Sequence, residues 1–231
     1  MFIYFKKPED DLDKKSGITA SEAMSVLKTG DSEIAGQKIK NPEQAYKNLE
    51  FALSKVKEYF SGTLKIDLSD IQFQKFRGDI VGESKESGTF IDPIMLMHPA
   101  IRLAHVISHE LAHQNDTIQN EGLVESYVEQ FFGDTGIEHG YDEALNNFAE
   151  FAKRFDSSND APSATKKIYE LYYQGKFESI YKGYHDNYIK NLKTEKEKNE
   201  AFELFRTVFP ELEYSGKKRP GDFELKDFST Q

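Results

Sequence analysis

The stretch His98-Pro-Ala-Ile-Arg-Leu-Ala-His-Val-Ile-Ser-His-Glu-Leu-Ala-His-Gln-Asn-Asp-Thr-Ile-Gln-Asn-Glu-Gly-Leu-Val-Glu-Ser-Tyr-Val-Glu129 decides how the chain reads. Within it, His109-Glu110-Leu111-Ala112-His113 has the spacing HExxH. Histidines at i and i+4 lie one above the other on a helix, so both imidazoles can reach one metal ion. The glutamate between them stands where it can take a proton from an attacking water. Pro99 suits a first helical position, and Ile101, Leu103, Ala104, Ile107, Leu111 and Ala112 supply apolar surface for a helix that runs to about Asn115.

A zinc site needs a third protein ligand, and Glu121, Glu125 and Glu129 follow at steps of four. Asp116 with Gln119 reads as an N-cap pattern that restarts a helix at once, and Gly133-Asp134 would end it. The expectation is a tight helical hairpin. If its turn centres near Thr117, His113 faces Glu121, His109 faces Glu125 and His105 faces Glu129. Glu121 then completes a His, His, Glu set, and Glu125 accepts the outer ring N–H of His109 and fixes its tautomer. Glu125 stands second as the third ligand. His105 and Glu129 form a structural pair one turn further along.

His109-Glu110-x-x-His113 followed by Asn120-Glu121-Gly-Leu-Val-Glu125 resembles the gluzincin metallopeptidases, the thermolysin-like zincins. In that family an Asn-Glu-Gly or Asn-Glu-Ala step supplies the third ligand, and an acidic residue four positions later supports a histidine. The resemblance implies zinc held by His109, His113 and Glu121, with Glu125 behind His109. It covers roughly residues 88–133, and the seven residues between His113 and Glu121 are far fewer than in thermolysin itself, which points to a minimal gluzincin. The resemblance also implies that the strand before the zinc helix borders the cleft. Thr89, Phe90 and Ile91, running into Asp92, would then hold an extended peptide by main-chain hydrogen bonds.

Working outward, 231 residues of 38% hydrophobic composition suffice for a buried core. A net charge of -10 argues against nucleic acid or an anionic membrane as the main partner and favours basic peptides. With no cysteine there are no disulfides, thiolate ligands or thiol nucleophiles. No run is long and apolar enough for a membrane span, and the start Met-Phe-Ile-Tyr-Phe-Lys-Lys lacks the pattern of a leader. The expectation is a soluble protein, with the cytoplasm the favoured compartment and secretion open if a leader is removed.

Three regions are expected. Residues 1–62 form an N-terminal, largely helical region that could serve as a prosegment or cap. Phe2 to Phe5 is β-prone and Lys6 to Lys15 is a loop. Thr19 with Glu22 forms a capping box for a helix through about Lys28, and Asn41-Pro42-Glu43 starts a helix that ends at Ser61-Gly62. Residues 63–135 form the zincin core. There Leu64, Ile66 and Leu68, then Ile71, Phe73 and Phe76, alternate as strands, Gly82 to Gly88 is rich in turn residues, and Gly88 to Asp92 is a strand. Residues 136–231 form a helical subdomain with helices over Asp142 to Phe155, Ser163 to Gln174 and Thr194 to Phe209, then a polar tail from Glu211. The fold class is α+β and zincin-like: a small mixed sheet on the HExxH helix and the glutamate helix, followed by a helical C-terminal region.

The expected function is zinc-dependent hydrolysis of a peptide or protein substrate, with Glu110 as the general base. Gluzincins also place a Tyr or His opposite the developing oxyanion, and His185 and Tyr181 lead the candidates, with Tyr184, His139 and Tyr141 behind them. The alternative is a latent or non-catalytic zinc-containing protein of the same fold, with residues 1–40 or 211–231 as the plug.

Overall fold

The computed structural model describes residues 17–61, 68–78, 80–113, 120–133, 135, 141–156 and 161–209. Its elements are β1 (Ile18–Thr19), α1 (Ala20–Lys28), β2 (Glu33–Ile34), β3 (Gln37–Lys38), α2 (Pro42–Phe60), β4 (Ile71–Phe73), β5 (Gly82–Lys85), β6 (Gly88–Ile91), α3 (Ala100–Ala112), α4 (Glu121–Phe132), α5 (Asp142–Phe155), α6 (Ala161–Tyr173), α7 (Phe177–Asn187) and α8 (Glu195–Val208). Among the described residues the fold is mixed α and β and mostly helical, with a small four-stranded mixed sheet and a separate antiparallel pairing of β2 with β3. Its contacts group into two compact units. The first holds the chain up to Thr117 with Phe131–Gly140, and the second holds Ile118–Gln130 with everything from Tyr141 on. This differs from the expected three regions. The N-terminal helices pack into the same unit as the HExxH helix, α1 on α2 and α2 on α3, and Ile18–Thr19 pair with β4 as a strand of the sheet.

In the first unit the strand order is β1-β4-β6-β5, with β4 and β6 parallel and the other neighbours antiparallel. β5 and β6 form a hairpin across Glu86 and Ser87, so the stretch expected as a turn-rich loop is half strand. β6 is therefore an inner strand, with Ile91 level with Gly82 on one side and Phe73 on the other. Asp92 carries the chain out of β6. Its carboxylate accepts from the N–H of Phe76 at 2.9 Å and of Ile94 at 2.8 Å, capping a 3-10 turn over Pro93–Met97 that leads into α3. On α2, Asn48 donates its amide to the carbonyls of Leu96 at 3.2 Å and His98 at 2.9 Å, which seats that turn against the longest helix.

The helix ends behave as their sequences dictate. Thr19 and Glu22 make both bonds of a capping box, and Asn41 caps α2 by accepting from Gln44 N–H at 3.1 Å with Pro42 inside the first turn. Pro99 sits at the N-cap of α3 rather than inside it, because its carbonyl accepts from Leu103 while Ala100 takes the first helical position. Residues 2–15, Leu64, Ile66, Asp116 with Gln119, His139 and the tail from Glu211, for which the sequence raised expectations, lie outside the described residues.

The second unit is a helical bundle around aromatic side chains. Phe148, Phe151 and Phe155 of α5 meet Tyr184 of α7 and Phe205 and Phe209 at the end of α8; the Phe151 ring lies 4.6 Å from Tyr184 and 5.2 Å from Phe209. Tyr127 of α4 stacks on Tyr169 of α6 at 3.9 Å with the rings nearly parallel. Helix α7, which had no counterpart in the sequence reading, supplies Ile180, Tyr181 and Tyr184 to this core.

Candidate metal centre

Helix α3 is buried on every side. All ten residues from Leu103 to Ala112 are inaccessible, where an ordinary amphipathic helix keeps a polar face in water. Four of them, His105, Ser108, His109 and Glu110, are polar or ionisable, and His113 at the C-cap is buried as well. Burying such groups is costly unless hydrogen bonds or a metal compensate them.

The one-turn spacing does what was expected of it. Nε2 of His109 and Nε2 of His113 lie 3.0 Å apart, with the rings inclined at 69°. Two nitrogens bound to one tetrahedral zinc at about 2.0–2.1 Å are separated by about 3.3 Å, so the pair is set at nearly the spacing a shared ion imposes. His109 and His113 of the first unit bring two ring nitrogens together, and Glu121 and Glu125 stand in the first two turns of α4 in the second. Two imidazoles and a carboxylate are a donor set suited to zinc, and the residues present fit that ion.

Glu110, between the two histidines, is 1% exposed and turned toward the sheet. A Cβ built on Gly82 would lie 2.7 Å from its Cγ and 2.7 Å from Oε1, so the carboxylate lies directly against the bare backbone of β5. This neighbour was missed, although a lone glycine in a strand is itself a sign of close backbone approach.

His105 is buried, and its described partner is Thr135, whose Oγ1 lies 3.1 Å from Nδ1. The Thr135 carbonyl in turn accepts from Arg102 Nε at 3.0 Å, and the ring of Phe132 lies 5.9 Å from that of His105. These neighbours were not anticipated, because Thr135 follows the helix-ending Gly133 and carries no periodicity.

On α4, Glu121 is half-buried in the first turn and Glu125 is buried one turn on. The described helix begins at Glu121, and its cap is Asn120, which accepts from the N–H of Leu123 at 2.9 Å and donates to the carbonyl of Val208 at the end of α8. Gly122, next to the glutamate, lets α4 approach α5: an added Cβ would lie 2.9 Å from the carbonyl oxygen of Ala144.

The remaining expectations fare differently. Thr89, Phe90 and Ile91 lie on β6, whose main chain is paired on both sides, so they are not an edge that can take up a peptide; the hairpin has added β5 outside them. Tyr181 belongs to the aromatic core of the second unit, with its ring 5.5 Å from Phe205, and burial pushes its hydroxyl pKa up to about 12. His185, in the last turn of α7, has Nδ1 3.3 Å from the Asp186 carboxylate. No protein-family model, curated protein or solved structure matches this chain.

Proposed function

We propose that this chain is a zinc-dependent peptidase of the gluzincin kind, with His109, His113 and Glu121 as the metal ligands. The observation that carries the reading is the convergence of the two Nε2 atoms to 3.0 Å at the end of a helix buried from Leu103 onward, with Glu110 between them. A zinc ion held there would supply Lewis acidity to a peptide carbonyl and to water. Glu110 takes the proton of the attacking water and returns it to the nitrogen of the leaving amine. With Nε2 of His109 turned toward His113, the outer Nδ1 is left for Glu125, which fixes the tautomer.

Substrate would be an extended peptide. β5 is a terminal strand of the sheet among the described residues, and a strand edge recognises main chain. In the hairpin, Asp92 N–H donates to the Val81 carbonyl at 2.9 Å, so alternate pairs beyond it, Glu83 with Phe90 and Lys85 with Gly88, point inward. The main-chain groups of Gly82 and Ser84 then point to the outer edge, and Gly82 is the residue that touches Glu110. A peptide added along this edge would bring its backbone beside the base.

The test is cleavage profiling of a mixed peptide library by mass spectrometry, comparing zinc-loaded wild type with Glu110→Ala. The expected result is cleavage by wild type alone, with one zinc retained by both proteins. Equal cleavage by the two would remove Glu110 from the mechanism. An inactive wild type that binds zinc would refute the peptidase reading, and a chain that takes up no zinc would refute the metal site beneath it.

A further inference from the structure

We propose that Gly82 is a positioning residue for Glu110: the bare Cα of the edge strand sets where the carboxylate lies, and any side chain at position 82 moves it. This rests on the reading of Glu110 as the general base. Gly82 sits at the start of β5, is buried, and pairs with Ile91. Its side-chain direction faces α3, and the three atoms nearest an added Cβ all belong to Glu110: Cγ at 2.7 Å, Oε1 at 2.7 Å and Cδ at 3.0 Å. Carbon atoms in contact are ordinarily about 3.5–4.0 Å apart, so a methyl group at position 82 displaces the glutamate by about 1 Å.

The strand cannot readily yield instead. β5 is joined to β6 along its length, and β6 is held by β4 on its far side. The Asp92 N–H bond to Val81 fixes the residue just before Gly82. The yielding part is the glutamate side chain, which has three rotatable bonds and no covalent restraint at its far end. Replacing Gly82 therefore acts on the position of the base first and on the fold second. That is the property of a positioning residue, since a misplacement of about 1 Å costs on the order of a hundredfold in rate.

The position also meets the substrate edge. Gly82 is one of two β5 residues whose main-chain groups point outward, and a Cβ added to it would meet Glu110. A side chain there would leave that outward-facing main chain in place while shifting the carboxylate. The expected signature of Gly82→Ala is therefore a loss in kcat with little change in KM.

The experiment compares wild type, Gly82→Ala and, as a control in the exposed turn of the same hairpin, Glu86→Ala. Three readouts are taken: zinc content, steady-state kinetics on a peptide cleaved by wild type, and the Glu110 carboxyl carbon resonance in glutamate-labelled protein, assigned by its loss in Glu110→Gln. Gly82→Ala should keep its zinc, lower kcat about a hundredfold with KM within about threefold, and move the Glu110 resonance, while Glu86→Ala does none of these. An unmoved Glu110 resonance or a wild-type kcat in Gly82→Ala overturns the proposal. A wild type with no peptidase activity sinks the catalytic reading alone, and the resonance still decides where the carboxylate lies. If Gly82→Ala does not fold, the same substitution is made on Glu110→Ala, which removes all three colliding atoms. Recovered folding there supports the contact, and failure to recover overturns it.

Discussion

Asp92 is the joint on which the first unit turns from sheet to metal helix, and removing its carboxylate has a calculable effect. The side chain is 6% exposed and accepts two main-chain hydrogen bonds, from Phe76 at 2.9 Å and Ile94 at 2.8 Å. Asp92→Ala leaves the buried Phe76 N–H without its acceptor, at a cost of about 1–3 kcal/mol, and removes the cap of the Pro93–Met97 turn, at about 1 kcal/mol more. Together these come to about 3 kcal/mol, which in a chain of this size lowers the melting temperature by about 6–12 °C. Asp92→Asn keeps one acceptor and should lose roughly half as much. The assay is thermal unfolding of metal-free protein followed by circular dichroism, because bound metal would add its own stabilisation. Hydrogen exchange at the Phe76 and Ile94 amides reports the two bonds separately. A melting temperature for Asp92→Ala within about 1 °C of wild type would refute the assignment, as would an asparagine variant as damaged as the alanine one.

Two further outcomes are expected. Glu121→Ala should abolish tight zinc binding, while Glu125→Ala should weaken it only about 10–100-fold, measured by competition with a chromogenic chelator; the reverse order would exchange their roles. Burial raises the hydroxyl pKa of Tyr181 and of Tyr184 to about 12, opposed in Tyr184 by the nearby Arg154. Because the folded state holds these protons more tightly than the unfolded chain, the stability they confer is complete below about pH 10 and is lost as pH rises toward about 12. Ultraviolet titration should show Tyr181 and Tyr184 ionising late, near pH 12, and replacing both with phenylalanine should reduce that late phase by two tyrosines.

What the sequence disclosed was whatever one local interaction decides. The capping box of Thr19 and Glu22, the Asn41-Pro42 start and the one-turn spacing of His109 and His113 depend on a few adjacent residues, and each is as read. The edge of the sheet was misread because it depends on a pairing that no local pattern announces. Gly82-Glu-Ser-Lys85 has no alternating apolar residues, and it becomes a strand only because Gly88–Ile91 lies beside it. Helix α7 was missed for a related reason: Gly183 lowers its helix propensity, yet the absent side chain lets it pass Phe155, whose ring atom would stand 2.6 Å from an added Cβ. Thr135 and Gly82 reach the buried histidine and glutamate of α3 through tertiary approach, which spacing along the chain does not encode.

The cap of α4 has a consequence for how the protein is made. Asn120 holds the first turn of that helix while donating to Val208, which lies 88 positions later in the chain. At ordinary elongation rates of about 5–20 residues per second, the segment carrying Glu121 is synthesised on the order of ten seconds before its anchor. Glu121 therefore gains its final setting only after translation of α8, so a nascent or prematurely terminated chain carries every proposed ligand in its sequence without a finished place to hold them. Maturation of such a centre belongs to the late part of synthesis, and a stop codon at Val208 would act on it from 88 residues away.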